Sequence, residues 1–141
     1  MPHSGVVPSP RWSVRALGVV RLLWMAGFLV GTTTHVVDLV LGGLDVYAGQ
    51  PAGVRAFWVA LTVVDPLVVT LLLLRRRAGV VLGVVVMVAD VAVNGSVLAA
   101  TGDGLAALLP QSLFGAFVVL TARPLAAWFR ASRPHDRRDG A

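Results

Sequence analysis

The sequence predicts an all-α, polytopic membrane protein: a four-transmembrane-helix bundle with both termini in the cytoplasm. Three observations predict it. Hydrophobic residues make up 57% of the 141 residues and charged residues only 13%, against about 25% charged in a soluble domain. Four long apolar runs, each near the length that crosses a hydrocarbon core of roughly 30 Å, follow one another with short polar breaks. The arginines gather at alternate ends of those runs.

The segment up to Ser13 is rich in proline and small polar residues. It lacks the apolar surface to pack and is expected to be disordered. Arg11, Trp12, Arg15 and Arg21 then mark an interface, with basic groups for lipid phosphates and an indole for the headgroup layer. The first run, Leu22 to Leu41, is too long for the core of a signal peptide, and no A-x-A site follows it. Gly42-Gly43 ends it, and a loop with Asp45, Tyr47 and Pro51 follows.

The second run spans Phe57 to Leu74, carries Asp65-Pro66, and stops at Arg75-Arg76-Arg77. The third, Ala78 to Ala100, is rich in valine, a modest helix former in water. In a bilayer every backbone group must be paired within the segment, so helix prevails there. No run alternates with period two, which argues against a β-barrel. Thr101-Gly102-Asp103-Gly104 reads as a tight turn. The fourth run, Leu105 to Thr121, carries Pro110-Gln111-Ser112. Beyond Arg123-Pro124, Leu125 to Ala131 reads as a short amphipathic segment lying in the interface.

The chain thus divides into residues 1–16, a disordered cytoplasmic segment; 17–122, the transmembrane domain; and 123–141, a cytoplasmic basic tail. The four helices are expected over about 17–41, 55–74, 78–100 and 105–122. Eleven of the twelve basic residues, all arginine, flank the same ends of the runs, and the twelfth is Arg55. The positive-inside rule places those ends in the cytoplasm, in a plasma-membrane protein whose acidic, glycine-rich loops face outward. The net charge of +5 has the same explanation, so no nucleic-acid partner is expected.

Orientation converts sequence position into depth. His35, Asp65, Asp90, Asn94 and Gln111 all fall roughly 9–15 Å below the outer helix ends at 1.5 Å per residue. Asp38 and Ser112 lie near the same level. The helical stripes Gly27/Gly31/Thr34/His35/Asp38 and Gly83/Met87/Asp90/Asn94 turn these residues to one side of each helix. A carboxylate facing lipid at mid-bilayer costs about 2.5–3.5 kcal/mol on insertion scales, so the stripes should face inward and each other. Pro66 and Pro110 also free the carbonyls of Thr62 and Ala106 near that layer.

His35, Asp38, Asp65, Asp90, Asn94 and Gln111 are therefore the candidate ligand-binding residues. Three readings follow. The first is an outward-facing polar pocket that binds or passes a small polar or cationic solute, or protons. The second is an acid–base enzyme of isomerase or cyclase type acting on a lipid or isoprenoid, with His35 as proton shuttle and Asp65 or Asp90 as the acid. The third is an accessory subunit whose polar layer only holds helices together. One histidine among scattered aspartates is a poor metal signature, so no metal and no cofactor is expected. The absence of cysteine excludes disulfides and thiolate sites. Gly27-x-x-x-Gly31 and Gly79-x-x-x-Gly83 permit close helix approach, within the bundle or in a homodimer.

Overall fold

Ser13 starts the first helix. Its backbone is extended, and its hydroxyl accepts a 3.1 Å hydrogen bond from the Ala16 amide. This is an N-cap, and it sets the helix start at Val14 rather than near residue 17. The computed structural model describes residues 12–132. The chain on either side, including most of the expected disordered segment and the last part of the basic tail, lies outside them. Four helices follow in order: α1, Val14–Gly42; α2, Ala52–Leu73; α3, Arg77–Thr101; and α4, Leu105–Ala131. One 3₁₀ turn, Gly43–Asp45, leads out of α1, and no strand occurs among the described residues. Each of the four helices is long and apolar enough to cross a membrane.

The turns are tight where the sequence is poor in side chains. Gly102 and Gly104 have φ of 77° and 99°, the left-handed region that glycine enters without Cβ strain. α3 ends just before Gly102 and α4 begins just after Gly104. The turn from α2 to α3 is closed differently, by Arg75 at φ 50°. Its guanidinium lies 5.1 Å from the centre of the Trp128 ring, a cation–π contact that joins the end of α2 to the end of α4.

The helices form an up-down ring, α1 beside α2, α2 beside α3, α3 beside α4, with α1 and α4 the most loosely packed neighbours. The half of the ring at the arginine end is solid. Trp24, Val68, Leu72, Val118, Leu125 and Phe129 are fully buried there. Such close packing contributes dispersion energy between the helices. The glycine motifs are consumed inside this ring. A Cβ at Gly27 would run into the Phe114 ring, and one at Gly79 would lie 2.7 Å from Leu71 Cβ. At Gly83 it would meet Trp24 at 2.9 Å and Phe28 at 3.3 Å.

The end of α4 also departs from the expectation. Leu125 to Ala131 does not lie apart as an interfacial segment; α4 runs through Pro124 without a break. A proline in a helix interior costs about 3 kcal/mol, by the lost hydrogen bond and ring crowding. Burial of Leu125 and Phe129 at 0% exposure offsets it. Pro66 and Pro110 are likewise carried inside α2 and α4.

Candidate functional site

The other half of the ring is hollow. A cavity of about 580 Å³ lies among all four helices, within the 300–1,000 Å³ range of small-molecule sites. Its floor is the top of the packed half, where Phe28, Met87 and Phe114 meet. All six candidate residues line it: His35 and Asp38 from α1, Asp65 from α2, Asp90 and Asn94 from α3, and Gln111 from α4. Thr34 joins them; Ser112 and Thr62 do not line it. The Thr62 hydroxyl donates to the Val59 carbonyl instead.

Asp90 is the best-supported carboxylate. It is 6% exposed. Asn94, one helical turn on, donates its amide to Asp90 Oδ1 at 2.9 Å and also to the Asp90 carbonyl. Gln111 donates across from α4 to Asp90 Oδ2. These bonds tie α3 to α4 and satisfy both Asp90 oxygens. The Gln111 Oε1 atom is then left buried with no hydrogen-bond partner.

Asp65 has no such support. It is 4% exposed and its Oδ1 is buried without a partner. Its Oδ2 packs against Gly31 of α1, where a Cβ would lie only 2.8 Å away. Gly31 therefore makes room for the carboxyl of Asp65, a role its place in a small-residue motif did not reveal. A buried polar atom with no partner is uncommon in a folded chain and costs about 1–3 kcal/mol.

A second polar cluster sits nearer the α1–α2 loop. Tyr47 reaches back over α1, and its hydroxyl donates to Asp38 Oδ2 at 2.9 Å. His35 Nδ1 lies 3.3 Å from the same hydroxyl. The hydroxyl has one proton and gives it to Asp38, so Nδ1 of His35 is the donor of the second bond. In the neutral imidazole this is the tautomer that leaves the lone pair on Nε2. The Tyr47 ring packs on Trp58 of α2 at 4.9 Å between centres. Burial first, then the bond to Asp38, pushes the Tyr47 hydroxyl above its ordinary 10.0. Tyr47 and Trp58 both line the cavity, and periodicity pointed to neither, since Tyr47 belongs to a loop. The available signal was that Tyr47 is the chain's single tyrosine.

No family model, no curated protein and no solved structure matches this chain. The chemistry of the cavity must be read from its own walls. Three carboxyl groups and one imidazole line it, and among the described lining residues there is no arginine. Among the described residues no three of these side chains come together as a metal-holding group. Thr34, Asn94 and Gln111 add further polar groups, and the rest of the wall is aromatic and aliphatic. Val30 and Thr34 on α1, and Ala107 and Pro110 on α4, line the cavity and are exposed on the outer surface as well. The rim therefore opens sideways, along the loose α1–α4 seam.

Proposed function

We propose that this is a small plasma-membrane protein whose intramembrane cavity binds, or passes, a small cationic solute. The arginine-bearing helix ends lie in the cytoplasm with both termini, and the cavity occupies the outer half of the bilayer. The observation that carries the reading is Asp65: a buried carboxyl with an unpartnered oxygen, in a cavity lined by two further carboxyls and no described arginine. A cation supplies what that oxygen lacks. Phe28, Trp58 and Phe114 supply apolar and cation–π contact for the rest of the molecule. Protons handled by the same carboxyl layer would be the smallest case of this function. The cavity itself weighs against a polar layer that serves only as glue, because glue needs no such volume.

The test is binding of a matched pair of opposite charge. Protein in lipid nanodiscs is titrated with 2-phenylethylammonium and with phenylacetate, and empty nanodiscs correct for partition into lipid. Saturable binding of the cation alone, lost in Asp65→Asn, is the expected result. Equal binding of the anion would overturn the reading.

A second reading has its own observation. The relay from His35 through Tyr47 to Asp38 leaves an imidazole with an assigned tautomer beside a laterally open cavity. That arrangement suits an acid–base enzyme drawing a lipid or isoprenoid from the bilayer, with His35 moving the proton and Asp65 or Asp90 as the acid. Lipid extract incubated with wild type and with His35→Gln, then compared by mass and double-bond position, tests it. A product formed by both proteins, or by neither, removes this reading.

A further inference from the structure

We propose that the cavity selects cations that carry N–H donors, a primary or secondary ammonium on an apolar body, over quaternary ammonium ions of the same shape. The inference rests on the cation reading above and names the chemical class. It is carried by two orphan acceptors in one cavity: Asp65 Oδ1 from α2 and Gln111 Oε1 from α4.

Gln111 Oε1 is an acceptor only, and Asp65 Oδ1 is one whenever its carboxyl is ionised. Neither has a hydrogen-bond partner among the described residues. Gln111 cannot turn its amide to serve itself. Its nitrogen is committed to Asp90 Oδ2, and the oxygen is left buried without a partner. Each Asp90 oxygen already accepts one bond, from Asn94 or from Gln111, so this carboxyl lacks a donor less than Asp65 does.

A ligand that answers this wall brings at least two donors on one small cationic head. An R–NH₃⁺ group does so, with one N–H for Asp65 Oδ1 and another for Gln111 Oε1. A trimethylammonium head keeps the charge and the cation–π attraction of Trp58 and Phe114 but has no donor. It would leave both acceptors buried and unpaired, and sites built on hydrogen bonds reject analogues that lack the donor far more strongly than apolar pockets reject a change of size. Phe28, Met87 and Phe114 form the apolar side of the cavity and suit an aryl or alkyl body.

The experiment uses full-length protein in nanodiscs and three probes of one skeleton: 2-phenylethylammonium, its N,N,N-trimethyl analogue and 2-phenylethanol. Binding is read by calorimetry and by saturation-transfer NMR against empty nanodiscs. The primary ammonium should bind at least about tenfold more tightly than the trimethyl analogue, with the alcohol weaker than either. Gln111→Met, checked for native helicity and monodispersity, should shrink the gap between the two cations. Asp65→Asn should weaken both cations. Equal affinity for the two cations would overturn the donor inference and leave the cation reading standing. An unchanged gap in Gln111→Met would overturn the assignment of Gln111. Should the alcohol bind as tightly as either cation, or no probe bind, the cation reading itself falls.

Discussion

Trp24 and Thr121 lie 97 residues apart and are joined by a buried 2.9 Å hydrogen bond from the indole Nε1 to the threonine hydroxyl. The hydroxyl in turn donates back to the Phe117 carbonyl. The bond crosses the loosest seam of the ring, between α1 and α4, directly beneath the cavity. It closes the packed half, and so defines where the hollow half begins.

The first prediction tests that closure. Thr121→Val keeps the shape of the side chain and removes the acceptor. It should cost about 0.6–2 kcal/mol in unfolding experiments in detergent, the range of hydrogen bonds between membrane helices. A double-mutant cycle with Trp24→Phe should show coupling of similar size. Additive effects of the two substitutions would mean that the bond contributes nothing to the fold.

A second prediction contrasts two glycines. Gly79→Ala forces a Cβ to 2.7 Å from Leu71 Cβ and 3.0 Å from the backbone of α2. Backbone cannot yield cheaply, so a loss of about 1–3 kcal/mol is expected. Gly18→Ala meets nothing within 4 Å. It should be neutral or stabilising by up to about 1 kcal/mol, from helix propensity. Thermal or denaturant unfolding of the two variants side by side checks the ordering.

The third prediction uses the solitary tyrosine. The chain has one tyrosine and no lysine or cysteine, so Tyr47 alone among its side chains titrates near pH 10. Its folded-state value is raised, so the folded protein holds the phenol proton where the unfolded chain has lost it. Stability from this source is intact below about pH 10 and declines as pH rises through the folded value. Tyrosinate absorbance should appear at higher pH in the folded protein than in denaturant. Tyr47→Phe should flatten the alkaline decline in unfolding free energy. Coincident absorbance titrations in the two states would remove the His35–Tyr47–Asp38 cluster from solution chemistry.

Topology gives the fourth. A reporter active only outside the cytoplasm, fused after Gly49, should be active; fused after Arg77, it should be silent. The arginine distribution motivates this. The reverse pattern would move the cavity to the cytoplasmic half.

The number of helices and their level of polarity were legible in the sequence alone, because both are one-dimensional quantities. Hydropathy over some twenty residues marks a helix long enough to cross a membrane, and a rise of 1.5 Å per residue turns position into height. His35, Asp65, Asp90, Asn94 and Gln111 could therefore be assigned to one layer, and stripes at helical spacing indicated a shared face. Which side chain meets which was decided only by the tertiary structure. Gln111 is 21 residues from Asp90 and Tyr47 is 9 from Asp38. Neither pairing follows from spacing, because it depends on how each helix is rotated about its axis and on where a loop folds back. The passage of α4 through Pro124 was decided the same way. Locally the proline argues for a stop, and only the burial of Leu125 and Phe129 against the other helices outweighs it. The orphan oxygens of Asp65 and Gln111 belong to this second kind of information, since an atom has no partner only once every neighbour is in place.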